Sequence, residues 1–139
     1  MVSLKVSSKS MSAAALSVLA VNILLAGASY AQKAEPVRIR FVDGAVSATV
    51  EGSLRGRQQM EYEAAARASQ TLTLRLSVAP ARTFSLKLYN PDGAEMPLRK
   101  SGANRWTAEL PQTGDYGISV LRTSPSPGDS SYKLIVTIR

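Results

Sequence analysis

The chain has 139 residues, no Cys and no His, and carries a formal net charge of +7. Without Cys there are no disulfide staples, no thiolate metal sites and no cysteine nucleophile. Without His the commonest general base, the commonest metal ligand and every Ser–His pair are gone, so any catalysis would rest on carboxylates, Lys or Tyr.

Lys5 and Lys9 are the only charges before Lys33. An apolar run from Ala13 to Ala26, interrupted by Ser17 and Asn22, leads to Ser29-Tyr30-Ala31 and then Gln32. A basic start, a short apolar stretch and a small-residue exit describe a secretory signal. The run is also shorter than the ~20 residues that cross a bilayer. Residues 1–31 are therefore expected to be a signal peptide and 32–139 a single working domain, periplasmic or secreted, with no stable membrane span after cleavage. A cut after Ala28 is the alternative, because Ala26 and Ala28 repeat the spacing of Ser29 and Ala31. An uncleaved anchor helix is the competing reading.

The rest of the chain alternates with period two. Val37, Ile39 and Phe41 alternate with Arg38 and Arg40, and Val46, Ala48 and Val50 alternate with Ser47, Thr49 and Glu51. The same holds for Leu72 to Val78, Phe84 to Leu88, Trp106 to Leu110, Tyr116 to Val120 and Tyr132 to Ile138. A strand turns successive side chains to opposite faces, so each apolar set lines one face. Ile135 interrupts the polar side of the last segment and points to partial cover there. Gln58 to Ala68 is rich in helix formers, yet Met60, Tyr62, Ala64 and Ala66 alternate with Glu61, Glu63 and Arg67. Its place between two clear strands favours a strand, since tertiary pairing overrides propensity in such a slot.

The breaks are turn chemistry. Asn90-Pro91-Asp92-Gly93 suits a type I turn. Asp43-Gly44, Ala79-Pro80 and Pro111-Gln112-Thr113-Gly114 end other strands, and Thr123 to Ser131 reads as an exposed polar loop. About eight short strands without crossover helices predict an all-β fold, an antiparallel β-sandwich or jelly roll.

The sequence offers little for catalysis. Glu61 and Glu63 point the same way on one strand, but nothing sets their environments apart, and paired carboxylates need such a split for acid–base work. Asp92, Glu95 and Asp129 have no calcium-loop spacing. No catalytic residue, metal ligand or cofactor is expected. The remaining cations are scattered singly, without the clustered basic element of a nucleic-acid binder. They leave an anionic glycan or envelope surface open as a partner. Thr113-Gly114-Asp115-Tyr116 has two readings. Tyr116 fills the sandwich end and its hydroxyl caps a loop, as in a tyrosine corner, or the segment is a polar tip displayed to a partner.

Val37-Arg38-Ile39-Arg40-Phe41 and Ser47 to Gly56 (SATVEGSLRG) resemble the opening strands of the bacterial periplasmic inhibitors of g-type lysozyme. Ser101-Gly102-Ala103-Asn104-Arg105-Trp106, Leu110-Pro111, Gly114-Asp115-Tyr116 and the closing Tyr132 to Ile138 resemble its second half. The likeness runs in order through 36–139 and extends to the pre-peptidase C-terminal β-sandwiches. It implies a non-enzymatic domain whose Ser-Gly-x-Tyr-like loop and a neighbouring Arg-bearing loop enter a lysozyme cleft. On that reading Thr113, Gly114 and Tyr116 form the first loop, with Thr113 in the place of Ser. Arg122 would pair with carboxylates, and Asn104 and Arg105 would stand at a neighbouring turn. The family carries an Arg three residues past the Tyr, where this chain has Ser119, and the segment Ser124 to Asp129 has no Arg. The expected partner is a g-type lysozyme-like protein, with inhibition weakened or altered by those losses.

Overall fold

The computed structural model describes residues 34–78, 83–125 and 127–139. They form one compact unit, Glu35–Arg139. The expected signal peptide, with its cut after Ala31 or Ala28, lies outside the described residues. Among those residues no helix is long and apolar enough to cross a membrane.

The described residues form ten strands, most of them where the sequence alternates. They are β1 Val37–Arg38, β2 Ser47–Arg55, β3 Gln59–Ala66, β4 Thr71–Val78, β5 Phe84–Tyr89, β6 Glu95–Met96, β7 Arg99–Gly102, β8 Arg105–Glu109, β9 Gly114–Arg122 and β10 Asp129–Ile138. Two five-stranded sheets result, in the orders β1-β3-β9-β5-β6 and β2-β10-β4-β8-β7. The helix-prone Gln58–Ala68 segment holds strand β3 over Gln59–Ala66, paired with β9 from Gln59↔Leu121 to Ala66↔Gly114. An all-β sandwich is what the alternation predicts. Two details differ from that expectation. Strands β6 and β7 are additional, short edge pieces whose residues do not alternate visibly. The β1–β3 pair is parallel, Val37 opposite Tyr62 and Arg38 opposite Glu63, in an otherwise antiparallel pairing.

The apolar sets meet between the sheets. Tyr62, Ala64, Leu88, Tyr116, Ile118 and Val120 come from the first sheet. Leu72, Leu74, Leu76, Tyr132, Leu134 and Val136 come from the second, all in one buried cluster. Fully burying a Leu or Val side chain contributes about 1.5–3 kcal/mol, so this facing pattern fixes the register: a one-residue slip would turn each set to solvent. Tyr132 spans the layer, its ring 5.6 Å from that of Phe84 and its hydroxyl 2.6 Å from that of Tyr62. Ile135 is half-buried on the outer face, between Thr49 and Arg75.

Candidate functional site

Strand β9 decides the geometry of the predicted site. It runs without interruption from Gly114 to Arg122. At ~3.3 Å per residue, Thr113 and Arg122 therefore stand roughly 25–30 Å apart, at opposite ends of the sandwich. The structure does not bring them together. Asn104 and Arg105 lie elsewhere again, on the second sheet. Arg105 is opposite Arg75, and the Asn104 carbonyl accepts from the Leu76 amide at 3.0 Å. The six residues expected from the sequence thus fall into three separate places.

Tyr116 is 1% exposed, on the inner face of β9. Its hydroxyl donates to the Gln112 carbonyl at 2.6 Å and accepts from the Gln112 amide at 3.0 Å. That is the tyrosine-corner arrangement: the ring fills the sandwich end and the hydroxyl clamps the loop before the strand. Arg122 is 6% exposed at the other end, where its Nη1 donates to the Gly128 carbonyl at 3.0 Å and holds the β9–β10 loop. Neither side chain stands out from the surface as a plug requires. Ser119, where the resembled family carries an Arg, is buried as well.

Thr113 and Gly114 stay at the surface, and a residue distant in sequence stands beside them. The β3–β4 loop (67–70) and the β8–β9 loop (110–113) are laced together. Ser69 N–H donates to the Leu110 carbonyl at 2.7 Å, Leu110 N–H to the Gln70 carbonyl at 2.8 Å, and Ala68 N–H to the Thr113 hydroxyl at 3.0 Å. Ser69 adopts φ 71°, a left-handed conformation that a non-glycine residue adopts only where its surroundings enforce it. The lacing supplies that enforcement. Gly114 is packed so closely on Pro91 that a Cβ would overlap the proline ring at 2.8 Å. Its glycine identity therefore serves the fold at this end. The two loops enclose a dent of about 370 Å³, lined by Ala65, Ala66, Arg67, Gln70, Thr113 and Asp115 with Gly114.

Arg67 is exposed on the rim of this dent. Sequence reasoning missed it, because nothing in the order of residues places 67 beside 113. Asp115, on the other side, is held by Arg38, whose two terminal nitrogens reach its two oxygens at 3.1 and 2.9 Å. The Arg38 hydrogen bonds, with its charge, hold the Asp115 carboxyl below the usual carboxylate range. Glu63 lies 3.5 Å from the same guanidinium. Glu61 accepts from Gln59 at 3.1 Å on the same outer face. Among the described residues no group of three acidic, His or Cys side chains is placed to hold a metal ion.

No family model matches the chain, and no curated protein matches it. Solved structures do. The chain is similar to PliG of Aeromonas hydrophila, a periplasmic lysozyme inhibitor of g-type lysozyme, at 28% identity and a TM-score of 0.64, covering 75% of this chain and 96% of that one. PliG of Salmonella Typhimurium follows at 23% and 0.60, covering 77% and 100%. The pre-peptidase C-terminal domain of a collagenase from Bacillus anthracis is 16% identical with a TM-score of 0.58, covering 79% and 100%. This chain therefore has the fold of the PliG inhibitors and of the pre-peptidase C-terminal domain, at modest sequence identity.

Proposed function

We propose that this protein is an exported, non-enzymatic binding domain directed at a g-type lysozyme-like protein, with weakened inhibition. It meets that partner through the end that carries Arg67, Thr113 and Gly114. The observation that supports this reading is the likeness over 75% of the chain to a periplasmic inhibitor of g-type lysozyme, together with an exposed Arg beside the Thr113-Gly114 loop. Arg67 offers a guanidinium fork that suits a carboxylate-lined cleft. The lacing of the two loops pre-organises it, which lowers the entropic cost of binding. Tyr116 acts as the clamp that shapes the loop, and Arg122 as the lock of the far end.

Inhibition is weak on this reading because Ser119 and the Arg-free 124–129 segment lack the arginines that the resemblance implies, and Arg67 is the rim cation offered in their place. Losing a desolvated Arg–carboxylate pair costs on the order of 2–5 kcal/mol, so affinity falls by tens- to thousands-fold for each pair. Titration of the purified protein against a g-type lysozyme, with a c-type lysozyme as control, tests it. The expected result is selective binding to the g-type enzyme with a dissociation constant above roughly 1 μM. Equal response to both enzymes, or none to either, would remove the reading. Nanomolar inhibition would show that the arginine argument fails.

A further inference from the structure

The outer face of the second sheet carries arginines that no carboxylate among the described residues pairs with. In the register of β4 and β8, Arg75 stands directly opposite Arg105, and one row further Thr73 stands opposite Thr107, which pairs in turn with Arg99 on β7. Directly opposed residues on one face of an antiparallel pair have Cβ atoms about 4.5–5.5 Å apart, and like charges there are destabilising. All three arginines are exposed, and among the described residues no carboxylate pairs with any of them. The cations near carboxylates lie elsewhere: Arg38 at Asp115 and Glu63, Arg55 at Asp129, Lys87 at Glu95 and Lys133 at Glu51. Glu109, opposite Thr71, is the one nearby acid on the face that is not already engaged by a cation among the described residues. Arg75 and Arg105 also line a shallow groove of about 290 Å³ with Thr71, Thr73, Thr137 and Arg139.

A stable fold keeps two arginines face to face at a cost, and an anion between them would remove it. We propose that this face binds a polyanionic polysaccharide, with Arg75 and Arg105 clasping one sulfate, phosphate or carboxylate group and Arg99 meeting the next. The guanidinium forks suit oxyanions bidentately. The hydroxyls of Thr71, Thr73 and Thr107 supply donors and acceptors for sugar hydroxyls. Ser47 and Thr137 are bonded to each other at 2.7 Å and close the groove on one side. Among the described residues this face has no exposed aromatic ring on which a nucleobase would stack, since Trp106 packs against the core. Around Arg75 and Arg105 the apolar side chain at this face among the described residues is Ile135, which is half-buried beside Arg75 and Lys133 and offers little to insert into a bilayer. Charge and hydroxyls without stacking or insertion fit a sulfated or uronate glycan best. The groove begins at Thr71, next to Gln70 of the Arg67–Thr113 dent, and Arg75 and Arg105 lie further along β4 and β8.

Heparin titrated at low ionic strength into the protein purified from cells expressing the full chain tests the proposal. Neutral dextran, phosphatidylglycerol vesicles and duplex DNA serve as comparison ligands. The native protein should bind heparin and not dextran, and should bind heparin more tightly than vesicles or DNA. Arg75→Ser/Arg105→Ser should weaken heparin binding by about ten-fold or more. Arg40→Ser/Arg57→Ser removes the same charge from exposed positions off this face and should change it less than about two-fold. Arg105→Glu should abolish binding while raising the melting temperature, because it places an opposite charge against Arg75. That thermal gain separates loss of the site from loss of the fold. Equal losses in the two double variants would reduce the effect to net charge and overturn the site. No binding to heparin, or tighter binding to vesicles or DNA, would overturn the polysaccharide as occupant.

Discussion

The hydroxyls of Tyr62 and Tyr132 meet at 2.6 Å in the interior, one from each sheet, and tie the two layers together. Burial, then the hydrogen bond to Tyr62, holds the Tyr132 hydroxyl protonated far above the usual tyrosine range. The pair satisfies two polar groups that would each be costly alone. Tyr132→Phe should destabilise the domain by about 1–3 kcal/mol, since it strands the Tyr62 hydroxyl. The double variant Tyr62→Phe/Tyr132→Phe should lose less than the sum of the singles, as expected of a coupled pair. Chemical denaturation of the four proteins measures the coupling, and additive losses would mean that the bond does not contribute.

Gly52 makes room for this arrangement, because a methyl group there would overlap the Tyr132 hydroxyl and ring edge. Those atoms belong to a buried side chain that cannot swing aside. Gly52→Ala should therefore cost stability even though strand geometry ordinarily tolerates Ala better than Gly. The expected loss is on the order of 1–3 kcal/mol, as for overpacked cores. Combining Gly52→Ala with Tyr132→Leu should relieve much of it, and unchanged denaturation midpoints in Gly52→Ala would contradict the contact.

Leu74 is 0% exposed and opposes Val136 and Trp106 across its neighbouring strands. Leu74→Asp places a carboxylate in the centre of the core with no partner, which should leave the domain unfolded or destabilised by more than about 4 kcal/mol. Circular dichroism melting reads this directly. A cooperative melt close to that of the native chain would mean that the inner face is misassigned.

The parts of the fold that were legible in the sequence are those where burial on one face imposes a period. Strands β4 and β10 alternate because each packs one face on the core, and β3 could be read as a strand despite its alanines and glutamates because Tyr62, Ala64 and Ala66 keep that period. Edge strands β6 and β7 lack such a face and leave no mark. Alternation also says nothing about a partner's direction, so the parallel β1–β3 pair was invisible. Tyr116 was legible as a corner. From the sequence, Thr113 groups with Arg122, and the unbroken strand β9 overturns that grouping by carrying its two ends apart. What the sequence cannot convey is the neighbourhood of Arg67 and Thr113, which the lacing between Ser69, Leu110 and Gln70 creates.

The exposed ion pairs give the domain a modest acid dependence. Arg38 holds the Asp115 carboxyl below its usual range, chiefly through the hydrogen bond, and Arg55 does the same for Asp129. A lowered folded-state value means stability that is present above the ordinary carboxylate range, about 3.9, and is lost as pH falls through the folded value. Both pairs are solvent-exposed, so the effect is small and screened by salt. The melting temperature should fall from about pH 5 toward pH 2, and less steeply in Arg38→Met. Identical acid profiles for the native chain and Arg38→Met would show that the pair is energetically silent.

The binding prediction separates Arg67, which the sequence did not point to, from Tyr116 and Arg122, which the sequence had grouped. Arg67 is exposed and anchored by the loop lacing, so Arg67→Ala should weaken any binding to a g-type lysozyme by about ten-fold or more while leaving the melting temperature unchanged. Arg122→Ala should do the reverse. It removes the guanidinium that holds the Gly128 carbonyl, roughly 25–30 Å from the contact end, and should lower stability without a change in affinity measured below the melting transition. Tyr116→Phe keeps the ring and deletes both hydroxyl bonds to Gln112. It should cost about 1–3 kcal/mol of stability and weaken binding only by loosening the Thr113 loop, so a longer-range effect on Arg67 contacts is not expected. Calorimetry against the lysozyme, paired with thermal melts of each variant, reads all three. If Arg122→Ala abolished binding at full stability while Arg67→Ala had no effect, the contact surface would lie at the other end of the sandwich.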